Sequence, residues 1–227
     1  MLKKLLRSLT PQRSVSFDAK PIAPFIAIGD IHGRLDLLSK LLSEAPKVQI
    51  VLVGDYVDRG DDSAGVLRLL STRPDLICLS GNHEELMLKF IDAPQTHGSH
   101  WLRYGGLQTL ASYGIAGMTE TSSPEAMSEA RDALLSAMGE DMLNWLRARP
   151  THWQSGNVAV VHAGADPKIP VTEQSYRTLH WGHPDFRKSP RNDGVLVVHG
   201  HTIVDAPQNT NGRISIDTGA YATGRLS

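Results

Sequence analysis

With 227 residues, the chain can bury a sizeable core without disulfide staples, and its length allows one large domain or two small ones. Lys plus Arg (23) and Asp plus Glu (24) leave a formal net charge of -1, which excludes a nucleic-acid binder held by general basicity. A single cysteine excludes a disulfide framework or a Cys-based zinc ribbon, and 41% hydrophobic with 21% charged residues excludes global disorder.

The N-terminal stretch Met1-Leu2-Lys3-Lys4-Leu5-Leu6-Arg7 is basic and mildly amphipathic. Its apolar runs are too short for a signal-peptide core, and no run anywhere approaches the roughly 20 residues that span a bilayer. Residues 1–20 are expected to be an arm, followed by one domain over 21–227. A cytoplasmic location without stable membrane association is expected.

Phe25-Ile26-Ala27-Ile28 is a short apolar run ended by Gly29-Asp30, and reads as a buried strand. Leu35, Leu37, Leu38, Leu41 and Leu42 recur at helical spacing before Pro46. Ile50-Val51-Leu52-Val53 is the second strand, ended by Gly54-Asp55. Val66, Leu67, Leu69 and Leu70 mark another helix. Leu76-Ile77-Cys78-Leu79 is the third strand, ended by Ser80-Gly81-Asn82-His83. This β-α-β-α-β pattern with wholly apolar strands predicts a parallel sheet covered on both faces. From about residue 84 to 150 the pattern is helical, as in an insertion or cap. Apolar runs then return at 158–161, 195–198 and 214–216, ended by His162-Ala163-Gly164, His199-Gly200-His201-Thr202 and Asp217-Thr218-Gly219. The polar stretch 184–194 reads as a loop.

In open α/β sheets, ligands sit beyond the carboxyl ends of the strands. Those ends carry Asp30, His32, Asp55, Asp58, Arg59, Asn82, His83, His162, His199 and His201. Taken singly, each is an ordinary turn former, cap or packed histidine. Taken together, carboxylate, imidazole and amide oxygen are the donor set of divalent first-row metals. Six donors (Asp30, His32, Asp55, Asn82, His162 and His201) are enough for two metals sharing a ligand. Two divalent ions against two carboxylates leave positive charge to attract a phosphate dianion and to acidify a water. The Arg59 guanidinium matches phosphate oxygens in a forked geometry. Cys78 has apolar neighbours and reads as a core thiol.

The segments Gly29-Asp30-Ile31-His32-Gly33, Gly54-Asp55-Tyr56-Val57-Asp58-Arg59-Gly60 and Gly81-Asn82-His83-Glu84 resemble the three signature motifs of the calcineurin-like metallophosphoesterases. More narrowly, they resemble serine/threonine phosphoprotein phosphatases of the bacterial and bacteriophage type. His162-Ala163-Gly164 and Gly200-His201-Thr202 match the later metal motifs, so the resemblance covers about residues 25–222.

The resemblance implies a four-layer α-β-β-α sandwich, with two mixed sheets between helices. It implies that Asp30 and His32 bind one metal, that Asp55 bridges, and that Asn82, His162 and His201 bind the second. Arg59 would hold the phosphate. His83 would protonate the leaving oxygen, oriented by Asp58. A metal-bridging hydroxide would attack phosphorus directly, in line. Manganese is the first choice of metal, with iron, zinc or nickel also suited.

One departure concerns the second phosphate-binding arginine, which the family places shortly after a Trp. Here Trp181-Gly182-His183 puts a histidine there, with Arg187 or Arg191 in the same loop as substitutes. His199 is expected either beside the metal site or simply packed. Trp101, Tyr104, Gly105 and Gly106 resemble an aromatic-then-Gly-Gly segment of bacterial members, which could shape a substrate wall. The expected substrate is a phosphoprotein. The alternatives are a symmetrical dinucleoside tetraphosphate hydrolase and an inactive metal-binding module.

Overall fold

The computed structural model describes residues 18–227, so the greater part of the expected arm, residues 1–17, lies outside the described residues. The rest of the arm is tied down: Lys20 N–H donates to Asn157 Oδ1 at 2.7 Å, and Asn157 Nδ2 donates to the Asp18 carbonyl at 2.9 Å.

The first sheet contains β1 (Phe25–Ile28), β2 (Gln49–Leu52) and β3 (Leu76–Cys78) in that order, parallel throughout. Helices α1 (Leu35–Glu44) and α2 (Ser63–Ser71) make the two crossovers. A crossover helix returns the chain to the same end of the sheet, which makes the pairing parallel. Mixed pairing is confined to the second sheet, ordered β4 (His152–Ser155), β5 (Val158–Val161), β6 (Leu196–His199), β8 (Arg213–Ser215), β7 (Gln208–Thr210). There β5, β6 and β8 run parallel, and the edge strands β4 and β7 run antiparallel to their neighbours.

Alternation along the strands assigns each side chain to a layer. Val51, Val53 and Leu79 of the first sheet pack against Val158, Val160, Leu196, Val198 and Ile216 of the second. Ile28, Ile50, Leu52 and Cys78 face the opposite way, into a core built with the helices. Ala159, Val161 and Val197 meet Val171, Leu179 and Phe186 on the outer face of the second sheet. These are the four layers, with the outermost thin: the helix α8 (Tyr176–Trp181), a 3-10 turn over Val171–Glu173 and loop residues. Full burial of each such Val or Leu contributes about 1.5–3 kcal/mol. The Cys78 thiol is buried as expected, and burial pushes it up to about 12.

Between β3 and β4 the chain is helical: α3 (Asn82–Asp92), α4 (Pro94–Trp101), a kink over Leu102–Gly106, α5 (Leu107–Ser112), α6 (Pro124–Met138) and α7 (Glu140–Arg147). The chain closes with the short α9 (Ala220–Thr223), and Gly29 N–H donates to the Ser227 carbonyl at 2.8 Å, bringing the C-terminus beside β1. Among the described residues, no helix is long and apolar enough to cross a membrane.

Register positions the site. Ile28 pairs with Leu52 and Leu52 with Cys78, so three strands end level. Val161 pairs with His199, so the loops bearing His162 and His201 also leave level with each other.

Candidate metal and phosphate site

Every strand-end residue singled out above is buried or partly buried. Two groups of donors converge, with ligand atoms within 4.8 Å of one another: His32, Asp55 and His83, and Asp55, His162 and His201. Asp55 belongs to both. Asn82 joins the second group, because its Oδ1 lies 2.8 Å from His162 Nε2 and 2.8 Å from His201 Nδ1. Asp30 lies alongside, its carboxylate accepting the His201 backbone N–H at 3.1 and 3.2 Å. Gly200 permits that approach, since a Cβ there would stand 1.9 Å from Asp30 Oδ1.

The backbone is strained in the same place. Among the described residues, six non-glycine residues have positive φ: His32, Asp55, Asp58, Arg59, His201 and Asn211. Five of these line the site. A left-handed conformation costs an ordinary residue about 1–3 kcal/mol and persists only where its surroundings over-determine it. Glu84 does part of that work. Wholly buried on α3, it accepts the backbone N–H groups of Asp55 (2.9 Å), Tyr56 (2.7 Å) and Gly81 (2.8 Å). Burial and the nearby Asp55 push its carboxyl up to about 7.

The donor chemistry fits divalent cations. His32 Nδ1 lies 2.8 Å from the Val57 carbonyl and His162 Nδ1 lies 3.1 Å from the Val53 carbonyl. A carbonyl takes only a donor, so the proton of each neutral ring sits on Nδ1 and the Nε2 lone pair points inward. Burial lowers both imidazoles to about 3, which keeps them neutral. His162 Nε2 and Asn82 Oδ1 are then two acceptors facing each other, an arrangement that a shared cation stabilises. Burial first, then Asp55 and Asp217, pushes the Asp30 carboxyl well above its usual range. Buried carboxylates of this density call for a counter-charge. Burial alone would also raise Asp55, but the imidazoles of His162, His83 and His32, protonated at the low pH where this carboxyl titrates, outweigh it and hold it low.

His83 differs from the other histidines. Its Nδ1 lies 2.7 Å from Asp58 Oδ2, and its Nε2 faces the site 3.9 Å from Asp55 Oδ2. Burial opposes protonation of this ring, but Asp55 and Asp58 prevail and raise its pKa. Burial thus favours the neutral ring at His32 and His162, whereas at His83 the two carboxylates favour the protonated ring.

Arg59 Nη1 lies 3.0 Å from His32 Nε2, and its guanidinium sits 5.0 Å over the Tyr221 ring. Tyr221, carried by α9, also packs edge-on against His32 with centroids 5.3 Å apart. Nothing in the sequence singled out Tyr221, because no strand-end motif contains it. Trp181, His183, Arg187, His199 and His201 line one cleft of about 440 Å³. His183 Nε2 lies 3.6 Å from Asp166 Oδ2, and Arg187 is exposed at the rim. Arg191 is engaged elsewhere: it is 5% exposed, bonded to Asp193 and to the carbonyls of Asp166 and Ile169. His199 packs edge-on against Phe186, with Nε2 2.9 Å from Ser215 Oγ and Nδ1 2.9 Å from the Gly200 carbonyl. Both its nitrogens are therefore committed away from the candidate ligands. Tyr104 is 41% exposed, but Trp101 is wholly buried and cannot form part of a substrate wall. Its indole instead turns inward to Asp58.

Two stacked sheets whose strand ends converge histidines, carboxylates and an arginine form a candidate site for divalent metal and phosphate. Residues 23–205 match the calcineurin-like phosphoesterase family, and the chain belongs to it. It is 28% identical over 216 residues to serine/threonine-protein phosphatase 2 of Escherichia coli K12, covering 88% of this chain and 89% of that one. It is 31% identical over 149 residues to the symmetrical bis(5'-nucleosyl)-tetraphosphatase of Pseudomonas fluorescens, covering 63% of this chain and 43% of that protein. The fold also matches the cold-active protein-tyrosine phosphatase of a psychrophilic Shewanella with a TM-score of 0.59 at 17% identity, over 89% of this chain and 73% of that one.

Proposed function

We propose that this protein is a serine/threonine phosphoprotein phosphatase, with residues 21–227 forming its catalytic unit. The observation that carries the reading is the buried His83–Asp58 pair, 2.7 Å apart, with Nε2 left to face the metal-binding residues. A serine or threonine alkoxide is a poor leaving group and needs a proton as the phosphorus–oxygen bond breaks, which a positioned histidinium supplies. The near full-length likeness to serine/threonine-protein phosphatase 2 supports the same substrate class.

Asp30, His32, Asp55, Asn82, His162 and His201 would hold two divalent ions, manganese first among them. Such ions supply charge for the phosphate and lower the pKa of a water. Arg59 would bind the phosphate in a forked geometry, held beneath by the Tyr221 ring. His183 and Arg187, which line the cleft beside His201, would contribute a second contact. His83 would deliver its Nε2 proton to the departing oxygen, giving the free alcohol. The water that attaches to phosphorus gives up a proton in turn, leaving inorganic phosphate and a net proton balance of zero. Asp58 keeps the ring oriented throughout.

A second reading is hydrolysis of a symmetrical dinucleoside tetraphosphate. It is favoured by the relative named above and by the exposed aromatic faces of Tyr104 and Tyr176, suited to stacking a base. A third, an inactive metal-binding module, gives the His83–Asp58 pair nothing to do. Catalytic efficiencies of manganese-loaded protein on a phosphothreonine peptide and on diadenosine tetraphosphate decide among them. Preference for the peptide supports the proposal, preference for the dinucleotide overturns it, and inactivity on both with every divalent ion tried selects the third.

A further inference from the structure

Asp58 is held by more than His83. The Thr109 hydroxyl donates to Asp58 Oδ1 at 2.7 Å and accepts the Asp58 backbone N–H at 2.8 Å, so one side chain grips both ends of the residue. Trp101 Nε1 lies 3.1 Å from each carboxylate oxygen. With His83 Nδ1 on Oδ2, three donors from separate elements define the plane of a single carboxylate. Asp58, Trp101 and Thr109 are all wholly buried, so no water competes for these bonds.

The same segment steadies the strained backbone. Asp58 and Arg59 have φ of 72° and 69°. The Arg59 N–H donates to the Gly105 carbonyl at 3.2 Å. Gly105 itself has φ of 111°, and a Cβ there would stand 2.7 Å from Arg59 N, so only glycine allows the kink to close on this loop. The chain of contacts returns to its start. Phe90, on the helix that begins with Asn82 and His83, stacks on Trp101 with centroids 4.6 Å apart. That helix holds His83 and Phe90, Phe90 holds Trp101, Trp101 holds Asp58, and Asp58 holds His83.

We propose that Trp101 and Thr109, carried by the helical segment between β3 and β4, are positioning residues for His83. They fix the Asp58 carboxylate so that the ring is bonded through Nδ1 and presents Nε2 to the leaving oxygen. The inference rests on the phosphatase reading above, and gives the helical segment a role in the chemical step as well as any role in substrate choice. Neither residue touches the substrate. A carboxylate with only the His83 bond would rotate in its pocket, and the imidazole would follow it. Loss of about 1 Å of placement at a reacting group costs on the order of a hundredfold in rate.

The test compares leaving groups. p-Nitrophenolate departs without a proton, whereas threonine alkoxide does not. Turnover of manganese-loaded wild type, Thr109→Val, Thr109→Ser and Trp101→Phe is measured on p-nitrophenyl phosphate and on a phosphothreonine peptide. Thr109→Val and Trp101→Phe are expected to lose at least about tenfold in kcat on the peptide and less than about threefold on p-nitrophenyl phosphate, with KM unchanged. Thr109→Ser, which keeps the hydroxyl, restores the peptide rate. Equal losses on both substrates, or none on either, overturn the inference.

A metal-free measurement accompanies it: the His83 Nδ1 proton gives a downfield NMR signal, assigned by its loss in His83→Asn. That signal shifts or broadens in Trp101→Phe and Thr109→Val and returns in Thr109→Ser. An unmoved signal counts against the clamp, including where one variant fails to fold and only the other is read. Wild type inactive on both esters defeats the phosphatase reading instead, and the NMR signal then still reports whether the clamp exists.

Discussion

The backbone N–H of His201 donates to both carboxylate oxygens of Asp30, at 3.1 and 3.2 Å, across 171 residues of chain. This contact joins the ends of the two sheets, since Asp30 follows β1 and His201 follows β6. It depends on residue 200 having no side chain, because a Cβ would stand 1.9 Å from Asp30 Oδ1 and 2.8 Å from Val53 Cγ2. Gly200→Ala is therefore expected to destabilise the fold by about 1–3 kcal/mol and to weaken metal binding. Urea denaturation and calorimetric manganese titration measure the two effects. A variant with wild-type stability and affinity would show that the two sheets can separate there without cost.

His83→Asn removes the proposed proton donor and leaves Asp30, His32, Asp55, Asn82, His162 and His201 in place. Metal content is expected to stay at the wild-type level while kcat on a phosphothreonine peptide falls by roughly 10²–10⁴-fold. Metal analysis of the purified variant beside its steady-state kinetics separates the effects. A near wild-type rate on the peptide sinks the assignment of His83 as the acid.

Arg59 and Tyr221 are expected to act on phosphate binding. Losing the Arg59 guanidinium removes charge-assisted bonds of about 1.5–3 kcal/mol, so Arg59→Ala raises KM roughly tenfold to a hundredfold. Tyr221 lies under the guanidinium at 5.0 Å. Tyr221→Ala forfeits a cation–π contact of about 0.5–1 kcal/mol and raises KM by about two- to fivefold, while Tyr221→Phe keeps the aromatic face and stays near wild type. Competitive inhibition by inorganic phosphate follows the same order. Equal inhibition constants in all three variants count against this account.

Burial lowers the His199 imidazole to about 4, against about 6.5 in an unfolded chain. Between those values the unfolded chain takes up a proton and the folded chain does not. Stability from this site is thus fully present above pH 6.5, declines as pH falls, and is gone below about 4. His199→Gln can still bond Ser215 but does not titrate. Its stability is expected to fall less than wild type between pH 7 and pH 5, as measured by urea denaturation of metal-free protein. Parallel losses in both proteins would place the proton uptake elsewhere.

Metal loading is expected to stabilise the whole domain, because the candidate ligands come from the ends of both sheets. At a hundredfold excess over Kd, binding contributes about 2.7 kcal/mol. For a chain of this size that raises Tm by roughly 5–10 °C, reversed by chelation. Calorimetry with and without manganese reads the shift, and Asp55→Ala, which removes the residue common to both donor groups, is expected to abolish most of it. A Tm indifferent to divalent ions contradicts the metal site.

Strands β1, β2, β3, β5 and β6 are legible in the sequence because each is a continuous apolar run that must be buried on both faces. Strands β4 (His152–Ser155) and β7 (Gln208–Thr210) are not, because edge strands are held by backbone pairing and carry no apolar run of their own. The residues from Asp30 to His201 are legible for a related reason. Each follows a strand end with glycine close by, and parallel strands ending level must bring such residues together. The sequence by itself therefore determined the fold class, the position of the site and its donor chemistry.

Only the tertiary structure decided what surrounds those donors. Trp101 and Thr109 lie 43 and 51 residues from the Asp58 they hold, and no periodicity encodes a contact of that range. Tyr221 reaches Arg59 because the C-terminus closes beside β1. Arg191 and His199, both plausible near the site from sequence, bond elsewhere, since a loop or strand-end position does not say which of several partners a side chain will meet. Local pattern is governed by the next few residues and by the need to bury apolar surface, which a sequence displays directly. Partnership between distant polar groups is settled by packing, once the burial of the whole chain has brought them within reach.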